Sequence, residues 1–228
     1  MSLGRIIARY GCALPTEYTV PVFPLSVVLL PRMPLPLHIF ESRYRDMVRD
    51  CLVDASPFAV VLHTGKTMQS VGGLARIEEI LQRYDDGRMD ILTVGTSRVR
   101  VLELDESKSY LQAKVCEYAD IEPPGNAVGD LIDSAVQALT DFAEVAGYTI
   151  DRSMISNLSP EDLSFLLATI DLFAVEDRQR FLEMRSSEQR INEAARSIRE
   201  AAERRRAARQ IRTILGKDAD EDITHLFN

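Results

Sequence analysis

The segment from Thr19 to Tyr44 restricts the possible folds of this chain more than any other part of the sequence. It reads TVPVFPLSVVLLPRMPLPLHIFESRY and holds five of the ten prolines in an otherwise apolar run. Proline lacks the backbone N–H that a helix or a β-ladder uses, and its ring fixes φ. We therefore expect no helix and no unbroken central strand here, but short extended pieces at 20–23, 27–30 and 35–39 joined at proline corners.

The remainder of the first half predicts strands, turns and one helix. Apolar residues at helical spacing predict a helix over 41–52, and the continuous apolar run at 58–62 predicts a strand buried on both faces. Residues 74–84 are predicted to pair with 89–94 across the Asp86-Gly87 turn, because Gly supplies the positive φ of a tight hairpin. A second hairpin joins 99–104 to 110–116. Six or seven short strands with one inserted helix fit a closed or nearly closed barrel over residues 1–118.

The second half predicts helices only. Residues 119–125 contain two prolines and a glycine and are predicted to be a linker, 126–216 to be a helical bundle, and 217–228 to be an acidic tail. One helix spans 128–146, Ser159-Pro160 begins another, and the longest runs from Ser187 to Leu215 and stops at Gly216. The predicted fold class is therefore α+β, a β-barrel followed by a helical bundle that ends in a long helix.

The long last helix has a narrow apolar seam that is mostly alanine beyond Ile198, with Arg204, Arg205 and Arg206 beside it. Small seam residues bury little area, so the distal turns are expected to need a partner. A protease, a chaperone or a second copy of the chain are the partners we expect there. Residues 119–176 are acidic and 177–212 are basic, so these arginines suit internal packing as well as nucleic-acid binding.

Composition and motifs argue against a membrane protein and against an enzyme. No apolar run is long enough for a membrane helix, no secretory signal pattern is present, and three separated cysteines fit free thiols in the cytoplasm. Gly65-Lys66-Thr67 resembles the end of a phosphate-binding loop, but Val60 stands where that loop needs glycine, so a polar turn is favoured. His38, His63 and His225 have no metal-ligand spacing, and no nucleophile elbow appears. We expect no cofactor, no metal and no catalytic residue.

Two sets of residues in the first half carry a family resemblance. One is Val20, Pro21, Val22, Pro24, Leu25, Val28, Pro31, Pro36 and Leu37, and the other is Val71, Gly72, Ala75, Ile77, Gly95 and Arg98. In this spacing the chain resembles the N-terminal domain family of Lon protease. The resemblance implies a PUA-like pseudo-barrel and a non-catalytic module that recognises protein substrates. It also implies a stand-alone member without ATPase and protease domains, acting as an adaptor or regulator of proteolysis.

The proline corner supplies the candidate binding residues. Apolar side chains in a loop without regular hydrogen bonds are candidates for capturing exposed hydrophobic segments of other proteins. We expect this role for a group of five residues: Leu30, Pro31, Met33, Pro34 and Leu35. The alternative for most of them is that they cap the core of the barrel.

Two other functions stay open from the sequence. PUA-like barrels elsewhere bind structured RNA, and the arginines from Arg196 to Arg212 suit phosphate contacts, whereas the net charge of −8 and the absence of tryptophan argue against RNA. An independent hydrolase is disfavoured because no activated nucleophile is recognisable. Binding of exposed polypeptide is the function that the sequence favours.

Overall fold

The computed structural model describes residues 16–121, 128–155 and 158–215. In these ranges the chain forms six strands and six helices. They follow the order β1 (Tyr18–Leu25), β2 (Pro34–Ile39), α1 (Ser42–Asp54), β3 (Phe58–Leu62), β4 (Val71–Arg83), β5 (Met89–Asp105), β6 (Gln112–Glu117), α2 (Val128–Ala146), α3 (Arg152–Ile155), α4 (Pro160–Ala168), α5 (Val175–Glu183) and α6 (Ser187–Leu215). None of the described helices combines the length and the apolar character that crossing a membrane requires. The α+β class predicted from the sequence is confirmed.

The six strands form one mixed sheet that closes on itself through β5. The strand order is β2-β5-β4-β3-β1-β6, and β5 pairs with β6 as well. The first part of β5 pairs with β2, and its last part, from Val99 to Asp105, pairs with β6. Five strands therefore make a closed ring, and β2 is attached to β5 outside it. The predicted barrel with one inserted helix, α1, is present.

The proline-rich opening differs from its prediction in two places. β1 runs through Pro21 and Pro24 with neighbours on both sides, and residues 27–30 form no strand. The N–H of Val22 donates to Leu111 on the β6 side, so by alternation Pro24 also faces that side and Pro21 faces β3. β6 pairing has ended before Pro24, and β3 pairing begins only after Pro21. The side of β1 on which Pro21 or Pro24 lacks an N–H is therefore unpaired at that residue.

The chain between β1 and β2 crosses directly over two glycines of the sheet. A Cβ built on Gly73 would lie 2.1 Å from the carbonyl oxygen of Leu29, and one built on Gly95 would lie 2.1 Å from that of Leu30. Both leucines are fully buried. The N–H of Arg32, whose φ is 63°, donates to Gly95 O at 2.7 Å, and the N–H of Gly95 donates to Met33 O at 3.0 Å. Only glycine allows this backbone contact.

Contacts divide the described chain into two units. Residues 16–121 with 168–187 form the first, and residues 128–155, 158–167 and 188–215 form the second. The sequence placed all of 126–216 in one helical bundle, whereas the structure groups α5 with the sheet. The predicted linker lies outside the described residues from 122 onward, as do Gly216 and the predicted tail at 217–228.

A buried arginine explains why α5 belongs to the first unit. The side chain of Arg98 on β5 is enclosed, and its residue is 3% exposed. Its guanidinium donates to the carbonyls of Leu182 and Met184 at 3.0 and 2.6 Å, and to the carboxylate of Asp120 at 2.6 Å. Gln179 Nε2 donates to Val71 O at 3.1 Å. A buried guanidinium needs such partners, so the end of α5 is fixed against the barrel.

The second unit packs the first turns of α6 among short helices. Its seam residues Ile191, Ala194, Ala195 and Ile198 are fully buried. Arg190 is enclosed too, since its Nε donates to Ser164 Oγ at 2.8 Å and its guanidinium lies 4.2 Å from the centre of the Phe165 ring. From residue 203 to 214 every side chain is at least partly exposed. The distal turns of α6 therefore contribute little to the core of this unit.

The glycine contact predicts a steric effect on stability. Gly95→Ala forces a methyl group onto the Leu30 carbonyl, so we expect the free energy of unfolding to fall by about 1–3 kcal/mol. Gly129→Ala is the matched control, because nothing lies within 4 Å of a Cβ at Gly129. That control should change stability by less than about 1 kcal/mol. Urea unfolding of both variants measures the difference, and equal midpoints would contradict the close approach.

Candidate binding surface

The register of β2, β5 and β4 determines which side chains share a face of the sheet. Directly opposed residues of antiparallel strands project to the same side. Three consecutive rows of opposed residues therefore form one surface, which we call the outer face: Pro34/Val94/Arg76, Pro36/Leu92/Glu79 and His38/Asp90/Gln82. Every residue of the outer face is exposed or half-buried. The alternating rows, which include Leu35, Leu37 and Ile91, pack into the barrel core on the opposite side.

Two prolines modify the free edge of β2. Met33 O accepts a hydrogen bond from β5, so Leu35 and Leu37 direct their backbone groups to β5 by alternation. Pro34 and Pro36 consequently occupy the positions whose N–H groups would point away from the sheet. An edge without these donors cannot add another strand in the usual ladder. A ligand of the outer face must therefore be held mainly through side chains.

A β-bulge adds one more apolar side chain beside the outer face. Ile80 opposes Ile91 and Gln82 opposes Asp90, so Leu81 is the extra residue of the bulge. Bulges redirect the inserted side chain, and Leu81 is 51% exposed. Together with Pro34, Pro36, Leu92 and Val94 it makes an apolar area bordered by Arg76 and Glu79. Such an exposed apolar area suits contact with another apolar group.

The third row of the outer face contains a hydrogen-bonded cluster. Tyr84 Oη donates to Asp90 Oδ2 at 2.7 Å, and His38 Nδ1 lies 2.5 Å from Asp90 Oδ1. These bonds, first that of His38 and then that of Tyr84, hold the pKa of Asp90 below its usual value. An ionised carboxylate only accepts hydrogen bonds, so Nδ1 of His38 carries the proton. The ring of Phe40, 59% exposed, stacks 5.9 Å from that of His38.

The five residues expected to bind polypeptide are not brought together on one surface. Leu30 is 0% exposed, so its side chain lies in the interior and not on the surface. Met33 and Leu35 are partly buried and pack against the barrel core. Pro31 is half-buried, and only Pro34 belongs to the outer face. The sequence missed Leu92, Val94 and Leu81, although the alternation of proline and leucine in β2 signals which side of that strand is exposed.

The other candidate sites lack the features that chemistry needs. Gly65-Lys66-Thr67 lies in a polar turn, where Thr64 Oγ1 and Thr67 Oγ1 are 3.2 Å apart. Cys51 and Cys116 are buried free thiols, and burial raises the pKa of Cys51 to about 11, so its thiol is protonated at neutral pH. Over 16–121, 128–155 and 158–215, no three His, Cys, Asp or Glu side chains form a group that suits a metal ion. Cys12 and His225 lie outside the described residues.

The second unit has an open groove of about 660 Å³ beside the distal turns of α6. Glu144 and Val145 of α2 line one wall, and Arg206, Arg209 and Ile214 of α6 belong to the lining as well. Arg206 approaches Asp141 to 3.5 Å. The groove is wide and mixed in charge, and its chemistry does not select one class of ligand.

A family model matches residues 19–200, which is most of the chain. That family is the ATP-dependent protease La (LON) substrate-binding domain. The matched range contains β1 except its first residue, all elements from β2 to α5, and the start of α6, so it includes the whole outer face.

Two curated relatives are Lon proteases. Lon protease of Syntrophus aciditrophicus (strain SB) is 23% identical over 222 residues, which cover 89% of this chain and 28% of the relative. Lon protease of Roseiflexus castenholzii (strain DSM 13941 / HLO8) is 26% identical over 179 residues, which cover 67% of this chain and 22% of the relative. The chain thus spans less than a third of the length of these relatives.

Two solved structures share the fold. The N-terminal domain of Lon protease from Mycobacterium avium complex superposes with a TM-score of 0.64 at 15% identity, covering 79% of this chain and 98% of that one. The Lon N-terminal domain protein from Xanthomonas campestris gives a TM-score of 0.59 at 24% identity, covering 77% and 96%. At these identities the likeness concerns the fold.

The His38–Asp90–Tyr84 cluster predicts a measurable change in acidity. Tyr84→Phe removes one donor, so the pKa of Asp90 should rise toward the ordinary aspartate value of about 3.9. A lowered pKa stabilises the folded state above that value, and this contribution is lost as the pH falls through the folded-state pKa. Carboxyl carbon NMR titration measures the change. The pKa of Asp151, lowered by Ser153, is the control and should stay constant; an unchanged pKa of Asp90 would contradict the cluster.

Proposed function

Because the chain belongs to the ATP-dependent protease La (LON) substrate-binding domain family, we propose that it binds exposed segments of other proteins on the outer face of its sheet. In this proposal it leaves the bound segment chemically unchanged and acts as an adaptor or regulator of proteolysis. The observation that carries the proposal is the apolar area of Pro34, Pro36, Leu92, Val94 and Leu81, each of which is exposed or half-buried.

The chemistry of the outer face suits unfolded protein. Unfolded segments expose apolar side chains without a fixed shape, and a shallow apolar area accepts many of them. The two prolines of β2 keep the backbone of such a segment from joining the sheet, so binding is tolerant of sequence. The rim carries one cation, Arg76, and two carboxylates, those of Glu79 and Asp90, and it is not a basic surface of the kind that RNA phosphates require.

A second contact in the proposal uses the distal turns of α6. Ile211 and Ile214 are exposed there, next to a row of arginines. A helical extension that buries so little is marginal by itself and is stabilised by a partner. We assign this surface to a protease or chaperone that receives the bound segment, with a second copy of the chain as the alternative partner.

The protein whose exposed segment binds to the outer face is called the client. The proposal predicts that removing apolar side chains from the outer face weakens binding of the client. Leu92→Thr with Val94→Thr keeps good strand formers while removing apolar area, so the Kd for a reduced, alkylated and unfolded protein should rise roughly tenfold. Fluorescence anisotropy of the labelled client measures the Kd. The matched control is Leu102→Thr with Leu104→Thr, on the same strand at 44% and 46% exposure but away from the outer face.

The control pair should bind the client as the unaltered chain does. Equal affinities of all three proteins would contradict the assignment of the outer face. Weaker binding by the control pair alone would indicate that the client binds at the far end of β5. Raising the salt concentration should change the Kd little, because apolar contacts dominate, whereas phosphate contacts to RNA would weaken steeply.

A further inference from the structure

A groove of about 390 Å³ opens at the third row of the outer face. Pro36 and Leu81 supply apolar walls, and His38, Gln82 and Asp90 supply the polar part of its lining. It is therefore continuous with the apolar area that the proposed function uses. A side chain of a bound segment that lies over the second row can enter this groove, since consecutive rows on one face are about 6.8 Å apart.

The acidic group of the groove is the carboxylate of Asp90. Asp90 is ionised at neutral pH, as its lowered pKa requires, and the other polar lining residues are an amide and an imidazole. Arg88 of the adjoining turn does not line the groove: its Nε donates to Asp86 Oδ2 at 2.6 Å, and its guanidinium lies 5.1 Å from the centre of the Tyr84 ring. The groove lining thus presents apolar walls and one carboxylate.

The carboxylate of Asp90 can accept more hydrogen bonds than it now has. Each of its oxygens takes one bond, from His38 and from Tyr84, and a carboxylate offers about four acceptor positions. The two bonds also fix the orientation of the carboxylate, so an incoming donor meets a preorganised acceptor. The exposed ring of Phe40, which stacks on His38, adds a face that attracts cations.

We infer that this groove binds a lysine or arginine side chain of the client segment, with the aliphatic stem against Leu81 and Pro36 and the cationic end at Asp90. Long basic side chains combine an apolar stem with a charged tip, which is the combination that the groove complements. The inference rests on the proposed function and adds a preference to it: apolar segments that carry a nearby basic residue are bound in preference to those that carry an acidic one.

Three short fluorescent peptides test the inference. They are unfolded, contain the same leucines, and differ at one position that holds lysine, norleucine or glutamate. The unaltered chain should bind the lysine peptide about fivefold more tightly than the norleucine peptide, and the glutamate peptide most weakly. The advantage of lysine should shrink at high salt, because the carboxylate is partly exposed to solvent.

Two variants separate the groove from its neighbours. Asp90→Asn should abolish the advantage of lysine over norleucine. Glu79→Gln, which removes a carboxylate of the next row, should keep the advantage. Leu81→Ser serves as a second variant if Asp90→Asn fails to fold. It should lower the affinity for the lysine peptide and for the norleucine peptide alike. Circular dichroism confirms the fold of each.

The outcomes distinguish this inference from the proposed function. If the unaltered chain binds lysine and norleucine peptides equally, the groove inference is overturned and the proposed function stands. If the advantage of lysine survives in Asp90→Asn or disappears in Glu79→Gln, the assignment to Asp90 is overturned. If no peptide and no unfolded protein binds, both the proposed function and the inference fail.

Discussion

The contact between two leucine carbonyls and two glycines is the constraint on which the rest of the first unit depends. The backbone at Leu29 and Leu30 lies against Gly73 and Gly95, with no room for a Cβ on either glycine. This contact brings the chain from β1 across the sheet and delivers β2 to the free side of β5. The hydrogen bonds between Gly95 and the turn at Arg32 and Met33 then set the register of β2. The rows of the outer face follow from that register.

One sheet consequently has two faces with different chemistry. Leu35, Leu37 and Ile91 fill the barrel on one side, while Pro34, Pro36 and Leu92 are presented on the other. Pro34 and Pro36 leave the hydrogen bonds between β2 and β5 intact. They also remove the outward N–H donors that would allow another strand to be added to β2. Without those donors the edge does not add a segment of another protein, or a second copy of the chain, as a further strand.

Local signals in the sequence were sufficient for much of the barrel. The Asp86-Gly87 turn, the apolar run of β3 and the helical spacing of α1 each predict their own element. The path of β1 could not be predicted from the sequence. A strand can contain Pro21 and Pro24 only because β3 does not pair with it at Pro21 and β6 does not pair with it at Pro24. The burial of Leu30 depends on Gly95, far along the chain. On β5, apolar residues occupy both faces of the sheet. The alternation of polar and apolar residues could therefore not show that Leu92 and Val94 face outward.

The most direct test of the account is where an unfolded client touches the chain. In methyl NMR spectra, titration with a reduced, alkylated protein should shift the resonances of Leu92 and Val94 and leave those of Leu102 and Leu104 on the same strand in place. Shifts confined to Leu102 and Leu104, or to the leucines of the second unit, would contradict the claim that the outer face is the binding surface.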